Sequence, residues 1–411
     1  MLNKFVYISI ILCISLFGAD RINIMSEAFE FFVFTPYLLL SLLILFTLFL
    51  FKSDNLDFKW LFNNNIFLLF FLIYIVTCIT SIFFSIDIYI SIKRFILLIY
   101  LLLSSIIIQS YYKNNHDLLE VLIKSSLLGS FIFFIFNFLL LLNWFSDFDF
   151  SNSFINLEPD KLAYFLPRLG GYSMDSNRGG VILFFFTFIL FFFGKKNRFN
   201  SIIIILNILF LFLSFSRTIY LLLIIVFLFQ LLISEKEIKK NMLKKIFYSL
   251  IFFLLIIGFL TFNQHINLYL AFQERIDVFE ISRFSSAGIH LKLILEGFTK
   301  AFNDFKILFF GSGFGTSFLL IKGYYWSGIK YGNYHSLYIT TLVECGIFNT
   351  ISMFIISFLL PFIIDYKNHI FTLLFGFLFF NIFYQLIMEP VFWFSILLFY
   401  KFNFSELKNE K

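Results

Sequence analysis

Apolar residues in this chain come in one run after another of bilayer length, with short polar clusters between them. About 20 apolar residues let a helix cross a hydrocarbon layer of roughly 30 Å with its backbone groups satisfied internally. The runs predict about twelve such helices, near 5–18, 32–51, 66–84, 89–110, 121–143, 178–193, 201–216, 218–233, 246–263, 336–363, 370–387 and 391–403. Composition points the same way: of 411 residues 60% are apolar and 14% charged, and mean hydropathy is +0.92. No water-soluble fold of this length hides so much apolar surface, which excludes a soluble enzyme or binding module. The expected fold is all-α and polytopic, one integral membrane domain over residues 1–411.

Orientation follows from the loop charges. The short loops 52–65, 111–120, 194–200 and 234–245 carry Lys52, Lys59, Lys113, Lys195, Lys196, Arg198, Lys236, Lys239, Lys240, Lys244 and Lys245, and the C-terminal tail adds Lys401, Lys408 and Lys411. The alternate short loops hold little beyond Arg21. Positive residues mark the cytoplasmic side, so both termini are expected there. An alternative for the first run is a cleaved signal peptide with Lys4 as its basic start, although the small-residue cleavage pattern is poor.

Two connections break the rhythm, at 144–177 and 264–335, and both fall on the outer side. The second, at roughly 70 residues, is too long to lack structure of its own. It contains a helical pattern at 289–302, where Ile289, Leu293, Phe298 and Phe302 alternate with Lys292, Glu296 and Lys300. Such a helix lies on the membrane face or caps the bundle.

Only 8 of the 31 basic residues are Arg. Arg198 falls on the cytoplasmic side, whereas Arg21, Arg94, Arg168, Arg178, Arg217, Arg275 and Arg283 fall in or near the outer half. A guanidinium forks onto phosphate oxygens with paired donors, so an arginine-lined outer cavity suits a phosphate or diphosphate. The alternative is that these arginines brace the loops by pairing with Asp147, Asp149, Glu158, Asp160, Asp175 or Glu280. Of the histidines, His116 and His369 fall in cytoplasmic loops, and His265, His290 and His335 fall outside. His335 stands just before a run, either as a group able to take a proton at the outer surface or as part of a Tyr-rich interfacial belt. The cluster Gly311-Ser312-Gly313-Phe314-Gly315 has no βαβ unit around it, so it reads as a tight turn and not as a dinucleotide loop. Cys13, Cys78 and Cys345 stand singly in apolar segments, without metal-ligand or redox spacing. The net charge of +6 is explained by the loop lysines and calls for no nucleic acid.

Four segments, in this order, resemble the O-antigen polymerase and O-antigen ligase family of bacterial envelope glycan enzymes. Arg168-Leu169-Gly170-Gly171 leading to Asp175-Ser176-Asn177 is similar to its Arg-x-x-Gly stretch before a span. Leu213-Ser214-Phe215-Ser216-Arg217 is similar to its Ser-Arg junction, and Gly311 to Gly315 to its Gly-x-Gly-x-Gly loop. His335-Ser336-Leu337-Tyr338 with Glu344-Cys345-Gly346 is similar to its His-Asn-x-(Tyr/Phe) start and downstream Glu-x-Gly. Two departures stand out: Ser336 replaces the usual Asn, and His290 stands where an Arg often opens the loop helix, with Arg283 seven residues earlier.

The resemblance implies a metal-independent glycosyltransferase of the C-type membrane superfamily in the bacterial inner membrane, without a cofactor. Its donor would be an undecaprenyl-diphosphate-linked glycan. A polymerase passes the chain to a second lipid-linked repeat unit, and a ligase passes it to lipid A–core. Arg168, Arg178, Arg217 and Arg283 would bind the diphosphate. Arg217 and His335 would be catalytic, and Asp175, Asn177, Tyr324, Tyr325 and Tyr334 would line the sugar cleft. A chain-length regulator and a flippase of the same pathway are the expected protein partners. A transporter for the same lipid-linked sugars is the other class, but it lacks the expected paired repeats and Gly/Pro-broken spans here. A non-catalytic envelope scaffold leaves the sidedness of the arginines without a reason.

Overall fold

A computed structural model describes residues 2–22, 35–51, 56–146, 151, 154–158, 162–163, 166–262, 286–321 and 333–404. Helices dominate these residues. Each of the twelve apolar runs contains one, and six are long and apolar enough to cross a membrane: Asn65–Phe83, Ile88–Tyr111, Asn115–Phe145, Ser176–Phe193, Lys236–Phe259 and Leu337–Asp365. The remaining runs form apolar helices of 10–17 residues. The chain divides into two compact units, residues 1–57 with 107–271 and residues 58–106 with 272–411.

The first unit contains α1 (Leu2–Ser15), α2 (Pro36–Phe51), and, numbering on through the chain, α6 (Asn115–Phe145), α7 (Ser176–Phe193), α8 (Arg198–Leu213), α9 (Arg217–Ile233) and α10 (Lys236–Phe262). Side-chain caps set several of the starts. Asn114 caps α6, Asp175 caps α7, Asn197 caps α8 and Ser216 caps α9, each accepting from an N–H in the first turn that has no helical partner. The helix α7 is buried from Gly179 to Leu190, so it is the centre of the unit and is apolar all round. By contrast α10 exposes Phe247, Phe252, Leu254, Leu255 and Phe259, as a lipid-facing helix does. Small and polar residues let the helices meet closely. A Cβ on Gly129 of α6 would lie 2.4 Å from the Phe186 ring of α7, and Asn207 of α8 donates to the Ser130 hydroxyl of α6 at 3.0 Å with both side chains buried.

In this unit the two ends of the α7–α10 bundle differ in charge. Lys195, Lys196 and Arg198 join α7 to α8, and Lys236, Lys239, Lys240 and Lys244 start α10. Arg178 and Arg217 stand at the other end, in the first turns of α7 and α9. Lys245, grouped above with the loop lysines, departs from that reading. It lies inside α10 and is only 7% exposed, while Lys244 beside it faces out.

The second unit contains α3 (Lys59–Phe62), α4 (Asn65–Phe83) and most of α5 (Ile88–Tyr111). Later in the chain come α11 (Ser286–Asn303), α12 (Phe305–Phe310) and α13 (Ser317–Leu320). Next, α14 (Leu337–Phe354) continues through a π-helical turn at Ile355–Leu359 into α15 (Leu360–Asp365), before α16 (His369–Phe383) and α17 (Pro390–Phe404). The π turn precedes Pro361, which has no N–H to offer the previous turn. Against α4, Asn349 of α14 donates to the Tyr74 carbonyl at 3.0 Å and the Thr77 hydroxyl at 2.8 Å. The expected loop helix is α11: it buries Ile289 and Leu293 in a core with Tyr334, Leu342 and Val343, and exposes Leu291, Leu295, Phe298 and Phe302.

The glycine cluster packs against a break in α14. Gly346 leaves the helical conformation at φ +81°, which takes helical donors from the carbonyls just before it. The Ser312 N–H fills in on Val343 O at 2.9 Å, and the Gly313 N–H on Glu344 O at 3.0 Å. Both contacts need bare backbone. Gly311 is left-handed at φ +79°, and a Cβ there would lie 2.1 Å from Glu344 O. Gly311→Ala is therefore expected to cost more than ~2 kcal/mol, read as a lower melting temperature of the detergent-solubilised protein. Gly258→Ala in α10, where a methyl meets nothing within 4 Å, is the control and should lose nothing.

Candidate functional site

The Ser-Arg junction is a three-residue turn, Ser214 to Ser216, between the end of α8 and the start of α9. Phe215 makes the turn possible by adopting φ +48°. Of the described residues only Phe215 and His335 combine a side chain with a positive φ, and each lies in a segment singled out from the sequence. Backbone strain of this kind collects at functional sites, where surrounding contacts hold it in place.

Arg168 locks the turn to the start of α7. Its Nε donates to Ser214 O at 3.1 Å and its terminal nitrogen to Asn177 Oδ1 at 3.3 Å. The same Asn177 oxygen accepts the Ser216 hydroxyl at 2.5 Å, while Ser216 Oγ caps α9 through the Ile219 N–H at 3.2 Å. Because a guanidinium only donates, the oxygen of Asn177 must face it, which turns the amide NH2 away as a remaining donor. Arg217 is the first residue of α9 and is exposed. The arrangement thus collects two guanidinium groups, a primary amide and the N-terminal ends of two long helices, α7 and α9. All of these favour an anion.

Behind this cluster the loop is braced from below. Arg178 pairs with Asp20, whose other oxygen accepts the Met174 N–H at 2.6 Å. Asp175 spends one oxygen capping α7, on the N–H groups of Asn177 at 2.7 Å and Arg178 at 3.3 Å. Arg21 is buried and donates to three carbonyls, Ser173 at 3.0 Å, Asn156 at 3.0 Å and Glu158 at 2.7 Å. Tyr172 is fully buried, which pushes its phenol well above the usual range, and its hydroxyl donates to Ser15 O at 2.9 Å.

In the second unit, the His335 ring stacks on His290, with centroids 4.0 Å apart and planes 14° from parallel. Asn333 Oδ1 accepts the His335 N–H at 2.7 Å and so holds the left-handed backbone. Both imidazoles are half-buried; His335 stands two residues before α14, and His290 is the fifth residue of α11. Tyr334, expected in a sugar cleft, departs from that expectation. It is fully buried in the core between α11 and α14, against Gly297, so its ring presents no face to a ligand.

Arg168 and Asn177 therefore meet on one turn, Arg217 follows it as the first residue of α9, and Asp175 and Arg178 stand beside it as cap and brace. His335 belongs to the other unit and meets His290 there. Arg283, Tyr324 and Tyr325, like Arg275 and His265, lie outside the described residues. Sequence reasoning passed over Glu344 as a site residue. Its buried carboxylate accepts the Ser317 N–H at 3.2 Å, and the Gly315 N–H and Arg94 also support it. The cue was available, since a Glu within an apolar run is kept only where partners wait for it.

Asn177 and Ser216 share one hydrogen bond, which a double-mutant cycle can isolate. Asn177→Ala should cost about 1–3 kcal/mol because it removes the acceptor of the buried Ser216 hydroxyl and of half-buried Arg168, and Ser216→Ala about 1 kcal/mol as a lost cap. The double variant should cost less than the sum, measured by thermal unfolding in detergent. No protein-family model matches this chain, and no curated protein matches it significantly.

Proposed function

We propose that this chain is a glycosyltransferase of the bacterial inner membrane that joins undecaprenyl-diphosphate-linked oligosaccharide repeat units at the outer face, an O-antigen polymerase. In this reading all twelve apolar helices span the bilayer and both termini are cytoplasmic. The observation that carries it is the meeting of Arg168 and Asn177 on the turn that Arg217 follows, at the start of α7 and α9. That end of the bundle is opposite the lysine-rich end, which the positive-inside rule assigns to the cytoplasm. The order of the four sequence motifs adds the family.

The chemistry is a displacement at the anomeric carbon of the donor. An acceptor sugar hydroxyl forms the new C–O bond as the bond to the diphosphate oxygen breaks. The electron pair leaves on the diphosphate, where Arg217 and Arg168 stabilise the growing charge, as a metal ion does in other transferases. The hydroxyl proton passes to a base, for which the resemblance offers His335, an imidazole suited to accept it near neutral pH. The Asn177 amide is placed to donate to the diphosphate or to the first sugar. Asp175 and Arg178 act by holding the start of α7, and Tyr334 by filling the core.

The lipopolysaccharide gel pattern of a deletion strain tests the reaction. Core carrying a single repeat unit means a polymerase. Free polymer on the lipid carrier with bare core means a ligase, and accumulation of repeat units on the inner leaflet means a transporter. Arg217 tests the site. If it forks onto a diphosphate, Arg217→Ala and Arg217→Lys should both lose most polymer at matched expression, because an ammonium lacks the paired donors. Normal banding from the Lys variant would leave only a need for charge.

A further inference from the structure

The helices α7 to α10 line a half-open cavity of about 440 Å3 that the transferase reading does not use. Its wall is apolar and largely aromatic, with Phe188, Phe191, Phe212, Leu223, Phe227 and Phe253. Two polar side chains join that wall at the lysine-rich end. Gln230 is fully buried and its amide oxygen accepts the Ser234 hydroxyl. Lys245 is 7% exposed, and its ammonium lies over the Phe191 ring, 4.8 Å from the centroid. Among the described residues no carboxylate or other acceptor pairs with that ammonium.

A ring face returns only part of the hydration that an ammonium loses on burial. Long lysine side chains near helix ends normally snorkel to the interface, as exposed Lys244 is free to do. Lys245 instead points into an apolar cavity, which calls for an anion that arrives with an apolar body. We propose that this cavity binds one anionic phospholipid, with an acyl chain along the aromatic wall and the phosphate on Lys245. A small soluble anion would gain nothing from that wall, and a neutral lipid would leave the ammonium unpaired. The rim agrees in charge: Lys236, Lys239, Lys240 and Lys244 start α10 and Lys195 and Lys196 follow α7, against Glu235 and Glu237. The site does not depend on the transferase reading: its apolar wall runs on to Phe212 and Tyr220, whereas Gln230 and Lys245 stand at the end of the bundle away from Arg217.

Native mass spectrometry of the full chain, released from nanodiscs, tests the proposal with phosphatidylglycerol and phosphatidylcholine of the same acyl chains. One phosphatidylglycerol should remain per chain, held about tenfold or more tighter than phosphatidylcholine. Lys245→Met keeps an apolar body of similar length, and it should reduce that preference to within about twofold while the chain still binds. Leu223→Trp fills the cavity and should weaken both lipids. Equal retention of the two lipids by the unmodified protein, which needs no variant to fold, overturns the proposal. An unchanged preference in Lys245→Met, or displacement of phosphatidylglycerol by an equal concentration of a polyprenyl phosphate, overturns it as well.

Discussion

Backbone N–H and C=O groups have no water to turn to inside a bilayer, so each interruption of a helix must be repaired by protein. The breaks in this chain follow that constraint. Gly346 interrupts α14, and the glycine loop supplies its N–H groups to the carbonyls of Val343 and Glu344. The turn between α8 and α9 is repaired by Arg168 on Ser214 O, by the Leu169 N–H on Leu213 O at 3.3 Å, and by the Ser216 hydroxyl on the start of α9. Glycines and serines recur at these places because a loop can serve a helix only if it comes within hydrogen-bond reach of bare backbone.

The same constraint explains much of the arginine usage. Arg21 bonds three carbonyls, Arg168 bonds a carbonyl and an amide oxygen, and Arg178 pairs with Asp20. A fork of fixed donors suits several acceptors at once, which a lysine ammonium on a flexible stem does less well. Arginine in place of lysine thus marks the bracing of a loop. Unlike these three, Arg217 is exposed and is the first residue of a long helix, as Arg198 is at the other end of the bundle. Arg168 fixes the turn on which Arg217 stands.

Much of the architecture is legible along the chain. Apolar runs of bilayer length became helices, and Asp175, Asn197 and Ser216 sit where side-chain caps belong. The glycine cluster behaves as the tight turn that its surroundings imply, with its target helix the one element that the sequence leaves open. The loop helix at 289–302 is present as Ser286–Asn303; of the apolar residues of its pattern Ile289 and Leu293 are buried, whereas Phe298 and Phe302 are exposed. Of the residues singled out along the chain, Arg168 and Asn177 meet, Arg217 starts the helix that follows their turn, Tyr334 is core and Arg178 pairs with Asp20.

Helix formation and hydropathy act within a few turns of chain, so a window of sequence contains nearly all of the physics that decides them. Which residues pair, and which are buried, depends on segments that no window spans. Arg178 and Asp20 are 158 residues apart, and Asn349 reaches Tyr74 across 275. Lys245 has the same local signature as Lys244, yet one lines a cavity and the other faces out, because α8 packs against only one side of α10. Composition and periodicity by themselves determined that the chain is a helical membrane protein with an arginine-rich and a lysine-rich side. Only packing decided which of those charges are braces, which are exposed, and which is left facing an apolar cavity, since a charge's role is set by the dielectric and the partners around it.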